Sequence, residues 1–436
     1  MKKLVILPLL LLSLISSATN YYVKRTGSDA ANGLSDATAW ATPAKVTSSM
    51  SLFQPGDSIL FKKGDTWTNA LITIGKAGIA GKNIIISSYG SGARPVLSAQ
   101  AGMPVIYITA AGRGYWTVDD LDIRATTPPG GQAQSQGIYF AYWLSDLGAV
   151  PGWEIKYCKF NCSVHVSGPS TWIHHNTFAG DYNHSGYNKG GAIIVRGPEG
   201  DNCIIENNTI YGWVDRAIWI MRGGSNPVIR FNTAYDIWGT SQTDHAGTGI
   251  NIDGYGVAIS GAKVYNNYVY NCTGLGLSLE NAFGAEAYNN RFINCGWGGF
   301  SIYWYPEHQG EPSNVNIHHN IVRNGAWGVL VNVASHWTIA HNVFIKDDTG
   351  GATSDKNALY VNSPSTYISN GTFANNIIAG TGYVHPVKLP DSKNIWTLFD
   401  YNIIVPVGTE IVNRGGTPLT LSQVQAMGYM AHGSTA

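Results

Sequence analysis

The stretch VYNNYV at residues 264–269 returns 23 residues later as AYNNRF at residues 287–292. Related phrases run outward from this pair in both directions: IHHNTF, IENNTI and IRFNTA before it, and IHHNIV, IAHNVF, FANNII and FDYNII after it. Each sets an Asn between two short apolar stretches, giving Asn176, Asn208, Asn232, Asn267, Asn290, Asn320, Asn342, Asn376 and Asn402. Their separations are 32, 24, 35, 23, 30, 22, 34 and 26, a unit with a floor near 22 and variable insertions. Self-similarity at such a period is the signature of a solenoid. Alternation on both sides of the Asn, with Gly before a third alternating stretch, predicts three strands per turn. A helical repeat would space its apolar residues by 3.6 instead. An Asn in the bend between two strands can bond the Asn of the next rung and satisfy backbone groups that the turn leaves open. The expected fold is all-β, a right-handed parallel β-helix with an Asn ladder. Weaker rungs extend it backwards through WTVDDLDI (116–123) and WEIKYCKF (153–160), where Cys158 takes the ladder position.

The ends read differently. Met1-Lys2-Lys3, the apolar run Leu4 to Ile15 and then Ser16-Ser17-Ala18 form a secretory signal peptide over residues 1–18, too short to span a bilayer. Residues 19–60 are expected to supply an N-terminal cap and the first strands, with a short amphipathic helix from Thr42 to Leu52 plugging the open end of the solenoid. The β-helix proper is assigned to residues 61–410, and residues 411–436 form a polar C-terminal tail.

Composition narrows the partners. The chain carries 27 Lys+Arg against 27 Asp+Glu, so the clustered positive charge that phosphate contacts require is missing and nucleic acid is not expected as a partner. With 24 Tyr, 14 Trp and 52 Gly, the composition suits a turn-rich β protein that binds glycans, and equally one that packs aromatics in its core. Five Cys are odd and sparse for a disulfide scaffold, and their spacing carries no metal pattern. Cys272 and Cys295 end similar phrases and are expected to stack on neighbouring repeats. No membrane span is expected, and a monomer is.

The opening YYVKRTGSDAANGLSDATAW, the phrases FQPGDSILFKKGDTW and IIISSYGSGARPVL, and the Asn ladder together cover nearly all of the chain. On these features it resembles the secreted bacterial right-handed β-helix proteins that act on polysaccharides, a group with pectate-lyase-like and chondroitinase-B-like lyases. The resemblance implies a secreted polysaccharide-active protein, periplasmic or extracellular, and, because such relatives continue past a tail like this one, a truncated C-terminus. It does not choose between lyases and hydrolases, since the group holds both. In the similar chondroitinase-B-like enzymes a Lys and an Arg act beside a Ca²⁺ site, whereas here no Lys projects from the face described next.

With the ladder as a ruler, four insertions stand out: Gly180 to Gly190, Gly239 to Thr248, Lys346 to Asn357 and Tyr305 to Pro312. All border the sheet built from AIIVRG, AIWIMRGG, GINIDG, GLSLEN, GFSIYW, GVLVNV and ALYVNS, so they are expected to wall a groove on it. With Ile250, Ile252, Leu277 and Leu279 inward, Asn251, Asp253, Ser278 and Glu280 point out. Rungs lie about 4.8 Å apart, which makes Asp253 and Glu280 adjacent carboxylates. Such a pair repels itself, so a cation neutralises it, one member holds a proton, or it is a solvated pair relieved by Arg222. The first reading is Ca²⁺ on Asn251, Asp253 and Glu280. The second is glycoside hydrolysis, whose retaining form needs carboxyls about 5–5.5 Å apart. Arg222, Tyr303 and the loop residue His245 join them as candidate catalytic residues. Trp219, Trp304, Tyr305 and His308 are candidates for binding sugar.

Three functions follow: a lyase cleaving a uronate-containing polysaccharide by β-elimination, as first choice; a glycoside hydrolase using Asp253 and Glu280; or a non-catalytic glycan-binding or surface protein. Cleavage of the leader is directly measurable, and the intact mass of the exported protein should place Thr19 or Asn20 at its N-terminus.

Overall fold

The computed structural model describes residues 18–435, apart from 101, 126–135, 141–149, 181–189, 198–200, 240–246, 305–309, 349–355, 363–367, 391–395 and 406–408. The described chain winds through three sheets of 14 strands each. Sheet A runs from Asn20–Val23 and Ser58–Lys62 to Trp396–Asp400, sheet B from Thr66–Ala70 to Ser434–Thr435, and sheet C from Ile72–Ile74 to Thr417–Leu419. Each rung visits A, then B, then C, and pairs in parallel with the rungs above and below. Ile173 of Trp172–His174, for example, lies between Ile155 and Ile205. Inward residues stack into one continuous core: Ile155, Ile173, Ile205, Ile229 and Ile317 on sheet A are fully buried. In the middle rungs a further short ladder appears at the turn from C to A, formed by Gly224–Ser225, Ile259–Ser260 and Ala282–Phe283. Three strands per rung is thus the rule, with a fourth added where that turn is long enough to pair.

The ladder forms as one unbroken column at the turn from A to B. The Asn176 amide donates to Asn208 Oδ1 at 3.0 Å, and the same bond recurs at 2.9–3.1 Å through Asn232, Asn267, Asn290, Asn320, Asn342 and Asn376 to Asn402. Each Oδ1 also accepts the backbone N–H of the Asn below, and each amide donates to a carbonyl of the neighbouring rung, as Asn267 does to Ile229 O at 2.9 Å. The residue before each Asn turns through left-handed backbone: φ is 55° at His175, 54° at Asn207, 56° at Asn266 and 57° at His319. Asn and His tolerate that conformation well, which explains the NN and HHN spellings. His175 and His319 are accordingly turn residues, and His174 and His318 end the sheet A strands before them. Sulfur closes the column at both ends. Cys158 occupies the lower ladder position, its N–H bonded to Asn176 Oδ1 at 2.9 Å, and Met430 Sδ lies 3.6 Å from the Asn402 amide.

A second, outer ladder was not anticipated. At the turn from B to C, the Asn271 amide donates to Asp236 at 3.4 Å, Asn294 to Asn271 and Asn324 to Asn294 at 3.2 Å each. Asn324 in turn accepts Asp347 N–H at 3.1 Å. These groups are exposed, unlike the inner column.

Entry into sheet C explains the glycines. A Cβ at Gly276 would run into the Phe292 ring, and one at Gly328 into Phe344, because the chain there crosses the core residues of sheet B at close range. At the N-terminal end Thr42 caps the helix Pro43–Ser48 by accepting Lys45 N–H at 3.1 Å, and Val46 and Met50 are buried over the first rungs. Residues 411–435 are built into the fold as the hairpin Val412–Arg414 with Thr417–Leu419, the helix Leu421–Ala426 and the strand Ser434–Thr435. All five Cys are free and buried, and Cys272 and Cys295 are neighbours, as their phrases suggest. Among the described residues no helix is long and apolar enough to cross a membrane.

Replacing a member of the inner column strips buried partners on both adjacent rungs. Asn267→Ala leaves the Asn232 N–H and the Ile229 carbonyl without their bonds, each costing about 1–3 kcal/mol. Denaturant titration should register a loss on the order of 3 kcal/mol for Asn267→Ala, and less than about 0.5 kcal/mol for the exposed Asn271→Ala.

Candidate functional site

Four sheet C strands carry the site: Arg216–Met221, Thr248–Asp253, Leu275–Glu280 and Gly298–Tyr303. Their register aligns Trp219, Asn251, Ser278 and Ser301 in one outward column, and Met221, Asp253, Glu280 and Tyr303 in the next. Ile250, Ile252, Leu277 and Leu279 fill the core beneath. Alternation and rung stacking therefore put Asp253 and Glu280 side by side, as expected. They are not solvated surface groups, being only 7% and 4% exposed.

A hydrogen-bond network distinguishes the two carboxylates. Glu280 Oε1 accepts the Asn251 amide at 2.5 Å and the Ser278 hydroxyl at 2.8 Å, and Ser278 is itself 2.8 Å from the Ser301 hydroxyl. Asn251 Oδ1 accepts Nε of Arg216 at 3.0 Å, and Arg216 pairs with Asp215 at 2.7 Å. Asp253 Oδ2 accepts the indole N–H of Trp219 at 3.2 Å, whereas Asp253 Oδ1 is buried with no hydrogen-bond partner among the described residues. Burial, and after it the charge of Glu280, pushes Asp253 up from an ordinary 3.8 to about 7, with Arg216, the Trp219 indole and the Tyr255 backbone N–H opposing. Burial and like charge thus favour a proton held by the pair.

Other expected residues are placed less directly. Tyr303 stands next to Glu280 in register. Arg222 follows the Met221 position, but only its backbone N–H reaches Asp253, at the carbonyl oxygen and 2.9 Å; its guanidinium lies 5.2 Å from the Tyr255 ring centre. The cation beside the pair is Arg216 instead. Strict alternation from Ile218 would bury Arg216, but Ala217 and Ile218 both face the core at this corner, which brings Arg216 out. Trp219, expected to stack on sugar, has its ring under the Arg216 guanidinium at 4.3 Å and its N–H on Asp253. Trp304 follows the Tyr303 strand and is half-buried. His245, Tyr305 and His308 lie outside the described residues, as do the middles of the four insertions. The described strands do place three of those insertions at entries into sheet C and the fourth at its exit, after Tyr303. Asp215, Arg216 and Tyr255 are the participants that the sequence did not reveal.

A Ca²⁺ ion on Asn251, Asp253 and Glu280 would require the Asn251 oxygen as a ligand, and that oxygen already accepts the Arg216 guanidinium. Among the described residues no group of three or more His, Cys, Asp or Glu side chains is placed to hold a metal. As arranged, the site offers two carboxylates and a guanidinium, and an ion there would share its amide ligand with Arg216.

The raised Asp253 sets a pH signature. Between the ordinary carboxylate range and about 7 the unfolded chain gives up this proton while the folded chain keeps it, so stability falls as pH rises through that window. Asp253→Asn removes the ionisation. Its thermal midpoint should exceed that of the parent at pH 8, with the difference shrinking towards pH 4; a gap independent of pH would contradict the assignment.

Residues 237–373 match the family described as the right handed beta helix region. No curated protein matches the chain. Among solved structures, a DFA-IIIase from Arthrobacter chlorophenolicus A6 in complex with GF2 superposes with a TM-score of 0.55 at 15% identity, over 84% of this chain and 94% of that one. A mannuronic-acid-specific polysaccharide family 6 lyase from human gut microbiota gives 0.52 at 15% identity, over 96% and 91%. A lacto-N-biosidase from Eubacterium ramulus gives 0.52 at 14% identity, over 83% and 68%. In its ladder, its three-sheet winding and its sequence match, the chain is a right-handed parallel β-helix protein.

Proposed function

We propose that this protein is a carbohydrate-active enzyme, exported by its leader, that hydrolyses a glycosidic bond with retention of configuration at the Asp253 and Glu280 pair. The observation that carries this reading is the unlike environment of two adjacent carboxyls. Glu280 is held by two donors that favour its anion, while Asp253 is buried, has an unpartnered Oδ1 and is pushed up to about 7. Two adjacent carboxyls in environments this unlike are the usual basis of an acid and nucleophile assignment. Adjacent rungs about 4.8 Å apart suit the short separation of retaining enzymes and leave no room for the water that an inverting enzyme places between its carboxyls.

In the first step Glu280 attacks the anomeric carbon, the bond to the glycosidic oxygen breaks with its electron pair going to that oxygen, and Asp253 gives the oxygen its proton. In the second, the Asp253 carboxylate takes a proton from water as the water oxygen attacks the same carbon, which releases the sugar and restores Glu280. Asn251 and Ser278 hold Glu280 in line, and the Trp219 indole orients Asp253.

A uronate lyase is the second reading, supported by Tyr303 standing beside Glu280 as a base and by Arg222 nearby as a partner for the uronate carboxylate. Digestion of a glycan panel separates the two. Hydrolysis yields new reducing ends without ultraviolet absorbance, insensitivity to chelators, and a loss of at least 10³-fold in kcat for Glu280→Gln with binding intact. Activity should fall as pH rises through about 7, where Asp253 loses its proton. Absorbing unsaturated products abolished by Tyr303→Phe would establish the lyase instead, and activity lost to a chelator and restored by Ca²⁺ would return the metal reading.

A further inference from the structure

Away from the carboxylate pair, a groove of about 700 Å³ opens on the edge of sheet B, lined by Asp236, Ile237, Trp238, Asn271, Cys272 and Thr273. It belongs to a different sheet. Its residues close the strands Thr233–Trp238 and Tyr268–Cys272 before the chain turns into sheet C, while Asp253 ends the following strand, Thr248–Asp253, 15 residues beyond Trp238. Two features mark it as more than a crease between rungs.

The first is Trp238, 52% exposed although it ends a well-paired strand. Other outward aromatics of sheet B cover one another: Tyr211, Tyr235 and Tyr270 stack with centroids 5.2 and 4.8 Å apart, so their faces are occupied. Trp238 has no such ring contact with the described residues, and its indole is the large apolar surface presented to the groove. The second is the outer polar ladder. The Asp236 carboxylate and the Asn271 amide sit one rung apart, both held in left-handed turns with φ of 54° and 53°, and joined at 3.4 Å. Their side chains are therefore fixed beside Trp238 at rung spacing. Thr273 is held as well, its hydroxyl bonded to Gly239 N and O at 2.8 and 3.2 Å.

An aromatic face flanked by preset acceptors and donors is the chemistry that recognises a pyranose ring, whose C–H face packs on the indole while its hydroxyls bond carboxylate and amide. The volume lies in the range of sites that hold a small oligosaccharide. Charge selects among sugars: among the described residues of the lining Asp236 is the one charged side chain, so a uronate or sulfated residue would meet a like charge. We propose that this groove is a second glycan-binding site, for neutral oligosaccharides, that anchors a polysaccharide without reacting with it. It rests on the carbohydrate-active reading for the class of ligand but not on the roles of Asp253 or Glu280.

Binding is measured in the Glu280→Gln background so that no ligand is turned over and the outcome does not depend on catalysis. The probes are gluco-, xylo-, manno- and galacto-hexasaccharides, with oligogalacturonate and oligomannuronate as acidic counterparts, read by calorimetry and tryptophan fluorescence. At least one neutral hexasaccharide should bind and quench fluorescence, and Trp238→Ala should weaken that binding at least tenfold. Asn271→Ala, an exposed change expected to leave the thermal midpoint in place, should weaken it at least threefold. No binding by any neutral probe, affinities within twofold of the parent in both variants, or tighter binding of the acidic oligomers through Trp238 would each overturn the proposal.

Discussion

The amide column at the turn from A to B is the constraint on which the rest depends. A parallel β-helix has no hairpins to set register, so each rung could slide against its neighbour by two residues and keep its apolar face inward. The ladder removes that freedom, because each Asn must meet the next Asn and a carbonyl of the adjacent rung in one geometry, at 2.9–3.1 Å over the whole run from Asn176 to Asn402. With register fixed at one corner, sheet C inherits it, and Asp253 falls opposite Glu280 rather than two residues away. The column can hold because it is buried and complete. Its terminal groups meet Cys158 below and Met430 above, and Gly433 leaves room for the Met430 side chain.

Variable rung length is the complementary freedom. The ladder fixes one corner and leaves the loops between sheets unconstrained, so insertions of very different size are accommodated without disturbing the register. Of the insertions at 180–190, 239–248, 346–357 and 305–312, three lie where strands enter sheet C and the fourth where a strand leaves it, all around the sheet that bears the carboxylates. The outer ladder through Asp236, Asn271, Asn294 and Asn324 lies at the entry corner. There it gives the turns from B to C a repeating polar edge although the chain beyond them varies.

How much could be read in advance follows from this division. The inner ladder, the alternation and the placement of Asp253 beside Glu280 were legible, because they rest on periodicities that persist across rungs. Cys158 as the lowest ladder member and the stacking of Cys272 and Cys295 on neighbouring rungs were legible for the same reason. Arg216 was not, since alternation from Ile218 would have turned it inward and only the corner at Ala217 and Ile218 brings it out. The outer ladder was hidden because its members lie in the differing phrases YDIW, YNC, INC and RNG, where no apolar frame announces the turn. Burial of the carboxylates was equally hidden, as exposure at a walled face is decided by what lies over it rather than by the strand itself.

The position of Arg216 bears on chemistry as well as on packing. Two acidic groups on adjacent rungs in a buried setting need either a counter-charge or a shared proton. Arg216 provides only part of a counter-charge, because it is bound to Asp215 and approaches the pair through the Asn251 amide rather than by direct contact. Its field lowers Asp253, yet desolvation and Glu280 outweigh it. A guanidinium placed directly between the carboxylates would have made both of them anions and left no acid at neutral pH. Held one residue back, it relays a donor to Glu280 through Asn251 and leaves Asp253 raised. The two carboxyls thereby differ in kind, one supplied with donors through an amide that is itself held by a cation, the other pushed up by burial and by its neighbour's charge.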